Sequence, residues 1–558
     1  MRKQILGIFV FTFLLGICAP LSAKAEKFFV EDNFDILGRS GINADLRIEG
    51  EKNKIFVESD FFNDLTDAQK DRLAGVVFNL STEFDGKIYP RLREVFGEER
   101  SPGIDNDTKI TILLHETMPG IGGYVREEDG YSRAEMPTSN GREMLYVDVD
   151  QAMNSTLGPS FVAHEFQHLI TFNQKKIVKG LSEERWLNEA RSEYAPTIVG
   201  YDDEWRTSYL KKRVDEFLGH PSDGLLDWRG RSIDHASNNL FIHFLVDKYG
   251  TGVLSEMMQS DAVGIDSIEQ AISNLGYSVK FEDIFTDWAV SLFVNNITSN
   301  SDMKFQYKFP NLSFGNLHVL PSSIFRLYDN NASGATFLID NWSAQWHRFF
   351  PGSIAEESAL HIRILSEDSQ NLAVYYVVND FFGGTNVHRF NLGESSILTI
   401  PDFGNFVSSV TIIPILTVRG ADSISKVGAF SIEGFVSNTF ADQFAEGSLI
   451  RAEDDAKVYI VKRGTKIGET FIRWIQTPEV FRFYKHLKWN DIITVKPEFL
   501  ASFEESFLVR RSGDYKVYEI DRQGRKKWLN ITSAEFERNG YKWDAIYEVN
   551  QAEWEWYK

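Results

Sequence analysis

The sequence predicts a multidomain chain. A signal over residues 1–25 precedes an α+β domain over 26–300, an all-β sandwich over 301–445 and two small α+β repeats over 446–505 and 506–558. Three observations predict it. Apolar residues recur at helical spacing through most of residues 66–295, interrupted by two strand-like runs. Beyond about residue 300 the pattern changes to short β-branched and aromatic runs separated by Gly, Asn, Asp and Ser. From Leu449 onward the chain repeats itself. With 558 residues and 43% hydrophobic content there is enough apolar material for several cores.

Arg2-Lys3, an apolar run from Ile5 to Ala19, and Ala23-Lys24-Ala25 form the charge, core and small-x-small pattern of a secretory signal, so Glu26 is expected to begin the mature chain. The single cysteine, Cys18, lies inside that signal, and Ile17 before it is too large for a lipoprotein cleavage site. An exported chain of this kind has no disulfide available and is held together by burial and metal. No later apolar segment approaches the roughly 18 residues needed to span a bilayer. The net charge of -21 argues against nucleic acid as a partner and is ordinarily explained by solubility. Residues 26–60 are mixed and polar, and read equally as a short pro-segment or as an N-terminal edge of the domain.

Thr66 is a good helix cap, and Leu73, Val76, Val77, Leu80, Phe84, Ile88 and Leu92 follow at helical intervals, predicting an amphipathic helix over Asp67 to Phe96. Lys109 to Leu114 and Met144 to Val149 are rich in β-branched and aromatic residues and predict strands. Just before the first of these strands, Asp105-Asn106-Asp107-Thr108 is an acidic loop. It could hold Ca²⁺ but lacks the other ligands of a calcium loop, so a plain turn is the favoured reading.

Pro159 suits a first helical turn, and Val162, Phe166, Leu169 and Ile170 give the helix that follows a buried side. On it lies His164-Glu165-Phe166-Gln167-His168. Residues four apart share a helix face, so His164 and His168 can aim imidazole nitrogens at one ion. Glu165, about 100° around, can face the same ion yet stand back far enough to hold a water as general base. A second helix carrying one carboxylate usually completes this pattern, which makes Glu189 in Trp186-Leu187-Asn188-Glu189 the third ligand. Glu193, one turn on, is expected to orient a ligand histidine. Three ligands on Zn²⁺ leave a fourth position for water, whose pKa falls from about 15.7 toward about 7. A closed structural zinc would call for four ligands, usually with cysteine, and the mature chain has none.

These residues resemble the gluzincin metallopeptidases, the thermolysin-like clan, and most closely the secreted hyicolysin-type family. Phe84-Asp85-Gly86-Lys87-Ile88-Tyr89-Pro90, Lys109 to Leu114, Gly122-Gly123-Tyr124, Glu143 to Asp148, the histidine helix, Trp186 to Glu189 and Phe241 to Gly250 carry the resemblance across roughly residues 55–295. Ala190-Arg191 stands where Gly-Leu is more usual, and Asp234-His235-Ala236-Ser237 where the family has Tyr-Gly-Ala-Ser. The resemblance implies a zincin-like fold and a secreted zinc endopeptidase acting on protein or peptide, with a sheet edge over the cleft that pairs with extended substrate. It also implies a second donor to the developing oxyanion. His235, in the stretch that stands where the family carries its tyrosine, is the first choice, ahead of Tyr201 and Tyr209. No complete Gly-x-Met-Glu-Asn motif is present, which favours endoproteolysis over aminopeptidase activity. The competing reading is a catalytically silent surface or cell-wall adhesin working through its C-terminal repeats.

Helical patterns resume over Glu183 to Tyr194, Glu204 to Phe217, Ala236 to Tyr249 and Asp266 to Asn274. Strands of the sandwich are expected at Ala335 to Ile339, Leu360 to Leu365, Leu372 to Val378, Ser396 to Ile400, Val410 to Val418 and Ala429 to Phe435, in a domain read as a spacer. In the tail, Leu449-Ile450-Arg451, Lys457-Val458-Tyr459, Arg473-Trp474-Ile475 and Lys488-Trp489-Asn490-Asp491-Ile492 recur as Leu508-Val509-Arg510, Lys516-Val517-Tyr518, Lys527-Trp528-Leu529 and Lys542-Trp543-Asp544-Ala545-Ile546. The offset drops from 59 to 54 because the first copy has a longer hairpin near Gly464 to Thr470. Six of the twelve tryptophans lie in this tail, which invites wall-glycan stacking, although tryptophan at matching positions of two copies is more often core.

Overall fold

A computed structural model describes residues 25–153, 157–295, 305, 317–328, 332–353, 358–392, 396–420, 425–437, 444–453, 455–464, 470–495, 497–500 and 503–558. The expected signal with Cys18, apart from its last residue, and most of the longer hairpin near Gly464 lie outside the described residues. Among the described residues no helix is long and apolar enough to cross a membrane. The chain forms two compact units, one from Met1–Lys212 with Tyr249–Tyr277 and the other from Arg213–Lys248 with Ser278–Lys558. This division is not linear along the chain, so it does not follow a single boundary at residue 300.

The first unit is built on a six-stranded sheet of β1 (Glu26–Phe29), β2 (Gly41–Glu49), β3 (Asn53–Glu58), β4 (Ile110–His115), β5 (Gly123–Tyr124) and β6 (Met144–Asp148). The order is β1-β2-β3-β4-β6-β5; β3, β4 and β6 run parallel, and β5 pairs antiparallel with β6. Residues 26–60 thus supply half the strands, which makes them an integral edge of this sheet. The two strands expected from the sequence, β4 and β6, are interior. The edge beside the histidine helix is β5, whose two residues are too short to show a pattern of their own.

Helix α1 (Asp67–Glu83) opens with a capping box between Thr66 and Gln69 and buries Leu73, Val77 and Leu80. Its axis continues through a π-turn over Phe84–Ile88 into α2 (Tyr89–Phe96). In this turn the Tyr89 N–H bonds Phe84 O, five residues back, and Pro90, which has no N–H to give, follows it. Helix α3 (Gly158–Thr171) carries Pro159 in its first turn, and its Phe166 stacks on Tyr89 with centroids 5.6 Å apart. Helix α4 (Arg185–Val199) ends on Gly200 at φ 95, a left-handed position suited to glycine.

His115, at the end of β4, is fully buried. The Tyr124 hydroxyl accepts from the Glu31 N–H (3.3 Å) and is hydrogen-bonded to His115 Nε2 at 3.1 Å. Burial, only partly offset by Asp35 at 3.7 Å, pushes this imidazole from 6.5 to about 4. Below pH 6.5 the unfolded chain therefore binds a proton that the folded chain refuses. Stability is held above that pH and falls by about 3 kcal/mol as pH drops toward 4. Urea unfolding near pH 7 and near pH 4.5 checks this, with His115→Gln expected to flatten the difference; an equally acid-labile variant would place the lability elsewhere.

In the second unit the expected strands pair as two facing sheets. One contains Leu372–Asp380, Val407–Leu416 and His347–Pro351, the other Ala359–Ser366, Val427–Ser437 and Ala332–Asp340. Phe349, Leu360, Ile362, Val374 and Ile412 are among the residues packed between them. Each tail repeat has three strands, a short helix (Pro478–Arg482 or Ser533–Arg538) and a last strand running parallel to the first. Between the repeats, buried Arg473 pairs with Glu553 at 2.5 Å, and Glu553 also accepts the hydroxyls of Tyr484 and Tyr557.

Candidate metal centre

Helices α3 and α4 bring together the three expected ligands. His164 Nε2 and His168 Nε2 are 3.2 Å apart, and Glu189 Oε2 lies 3.4 Å from the first and 3.5 Å from the second. An ion held tetrahedrally at about 2.05 Å would space its ligands about 3.3 Å apart, so the triangle has the size zinc requires. Two imidazoles and a carboxylate are also the donor set zinc takes. Among the described residues this is the single grouping of His, Cys, Asp or Glu that could hold a metal ion. The ligand side chains keep 13–14% exposure, so the cluster is not sealed from solvent.

Burial alone would raise the Glu189 carboxyl, but the two imidazoles outweigh it and hold it well below the usual range. Glu165 is not a corner of the triangle and is almost wholly buried. Burial, with the carboxylates of Glu189 and Glu193 acting in the same direction, outweighs the pull of His168 and pushes Glu165 up to about 8. A cation held by the neighbouring cluster would favour the ionised carboxylate and so lower that value. Edge strand β5 lies directly against this base: a Cβ on Gly123 would come within 2.9 Å of the Glu165 carboxylate and 2.8 Å of Tyr146 O. Glycine is what allows that approach.

Glu193 is buried with Oε1 3.9 Å from His164 Nδ1, too far for a hydrogen bond and close enough for electrostatic support. The partner of the other imidazole is one the sequence reading missed. Ser192 Oγ lies 3.1 Å from His168 Nδ1 and donates to Gln167 Oε1, whose amide donates to Thr171 Oγ1 at 2.9 Å. With its proton committed to Gln167, the serine hydroxyl accepts from His168 Nδ1–H, which leaves Nε2 free to bind. The i+3 step from Glu189 to Ser192 was a legible hint, the Gln167 contact was not. Ser192→Ala is expected to weaken zinc binding by about 10- to 100-fold with the fold intact. Competition with a chromogenic chelator measures it, and an unchanged affinity would leave the hydroxyl without a role.

The other candidates are placed less closely. Tyr201 donates its hydroxyl to Glu83 at 3.1 Å, a bond it would have to give up to serve as an oxyanion donor. Tyr209 stands edge-on to Phe161, one turn before His164. His235 belongs to the other unit, edge-on to Trp228 with centroids 4.6 Å apart, and its expected role is carried by the resemblance alone. Arg191, a departure from the family pattern, is fully buried and pairs with Glu183 at 2.8 Å. The Asp105 to Thr108 loop is a turn: Asp105 Oδ1 accepts the Asp107 N–H at 3.0 Å, and the Asp107 carboxylate is engaged by Lys54 at 2.5 Å.

Comparison with known proteins adds one relative to this geometry. Neutral metalloprotease ShpI of Staphylococcus hyicus is 28% identical over 275 residues, which is 45% of this chain and 58% of ShpI. The chain is similar to a metalloprotease. The match spans under two thirds of that relative's length. No family model matches the chain. Among solved structures, the lysozyme inhibitor PliG of Salmonella Typhimurium is 10% identical and covers 21% of this chain and 99% of its own, with a TM-score of 0.13. The pre-peptidase C-terminal domain of a Bacillus anthracis collagenase is 13% identical and covers 21% of this chain and 98% of its own, with a TM-score of 0.14. Scores this low carry no argument about the fold.

Proposed function

We propose that the protein is a secreted zinc endopeptidase of the hyicolysin type, with His164, His168 and Glu189 as ligands and Glu165 as general base. The observation that carries this reading is the triangle of 3.2–3.5 Å with a buried carboxylate beside it. Zinc, when bound there, supplies Lewis acidity that polarises a scissile carbonyl and lowers the pKa of water toward about 7. Glu165 takes the proton of the attacking water and returns it to the leaving amine, which needs a carboxyl that changes state near neutral pH. Glu193 and Ser192 hold the two imidazoles in register. The outer edge of β5 offers backbone groups to an extended peptide, aligning it beside Glu165. His235 is kept as the second donor to the oxyanion on the resemblance alone. Retention at the cell surface through the repeats completes the reading.

The decisive experiment combines zinc content with hydrolysis of casein and of an N-terminally blocked peptide. One zinc per chain, loss of both activities with chelator and recovery on zinc addition are expected. Hydrolysis that survives complete zinc removal, or a blocked peptide left uncut while its unblocked form is trimmed, would replace this reading.

A further inference from the structure

Of the six tail tryptophans, Trp489, Trp528 and Trp543 are substantially exposed. Trp489 and Trp543 occupy matching places, each opening a 3₁₀ turn before the last strand of its repeat. One face of each indole lies on a buried phenylalanine. Trp489 stacks on Phe481 at 3.9 Å and 16°, and Trp543 on Phe536 at 4.2 Å and 25°. Even so, the indoles remain 49% and 46% exposed. Trp543 is fixed further by its Nε1, which donates to Glu537 Oε1 at 3.0 Å. The expectation that matched tryptophans form the core is thus reversed: the phenylalanines are core and the indoles cover them from outside.

A rigid flat ring turned to solvent at the same place in two copies is a stacking surface. Its size and setting identify the occupant. Lys488 and Asp491 flank the first ring in sequence, and Lys542 and Asp544 the second. A single ring among charged residues is far smaller than the roughly 800 Å² per partner of a stable protein interface. It matches the C–H face of one pyranose, whose hydroxyls suit the charged rim. Charge agrees as well. Residues 446–558 carry 20 Lys and Arg against 19 Asp and Glu, while the whole chain has a net charge of -21, so the tail has none of the acidic excess that would repel an anionic polymer. Two equivalent rings suit a repeating ligand, since the second contact forms at high effective concentration.

We propose that Trp489 and Trp543 are paired stacking platforms for the sugar rings of a wall polysaccharide. This rests on the surface-retention part of the proposed function and not on the zinc site. The test uses the full mature chain, purified peptidoglycan sacculi stripped of protein, and N-acetylglucosamine oligomers as a soluble probe. The chain is expected to sediment with the sacculi, and the oligomers to quench its tryptophan fluorescence. Trp489→Ala and Trp543→Ala should each weaken retention about threefold to tenfold, and together about 10- to 100-fold. The Trp489→Tyr and Trp543→Tyr pair, which keeps aromatic faces, should restore most of it, separating loss of the platform from loss of fold. Casein hydrolysis is followed in parallel and should not change, so a failed protease leaves the platforms standing. Absence of sedimentation by the unaltered chain, or a double alanine variant that is folded and equally retained, overturns the proposal.

Discussion

Glu165→Gln is expected to leave the zinc content of the protein unchanged and to lower hydrolysis of denatured casein by about 10²- to 10⁴-fold. The amide keeps the shape of the carboxylate, so the close approach to Gly123 survives. Being outside the triangle of His164, His168 and Glu189, it takes no donor from the ion. What disappears is a group able to accept and return a proton. Paired determination of kcat and bound zinc checks this. Full activity would remove Glu165 from the chemistry, and zinc loss would make it a ligand.

The second large effect is expected from Glu189→Ala. The carboxylate is the only anionic corner of the cluster, and without it two imidazoles are left to hold the ion. Losing a partner that merely supports a ligand costs about 10- to 100-fold in metal affinity, so losing the ligand should exceed the upper end of that range. Activity falls with the zinc, and excess zinc restores only part of it. Isothermal titration of the metal-free variant is the check; retained nanomolar affinity would mean that another side chain completes the site.

Much of this site was legible because its information is local. Four-residue spacing on α3 fixes the two imidazoles whatever the rest of the chain does, and Glu189 lies on the next helix. The sandwich strands were legible for a similar reason, since the alternation of Leu360, Ile362 and Ile364 with His361 and Arg363, and the β-branched and aromatic run of Leu372–Asp380, are written in consecutive residues. What could not be read depends on tertiary approach. Strand β5 has two residues and takes its meaning from lying against Glu165. Ser192 and Gln167 are 25 residues apart and meet only when α3 and α4 pack. The exposure of Trp489 and Trp543 was misjudged because recurrence at equivalent positions marks a conserved geometry, and that geometry can turn a ring outward as readily as inward.

The ion pair of Arg473 with Glu553 binds the fates of the two tail repeats. Each holds the charge that neutralises the other's, away from water, and stranding one such partner costs about 3 to 5 kcal/mol. The duplicated modules are therefore not beads on a string. They are expected to melt as a single cooperative body, so that cleavage in one half destabilises its twin.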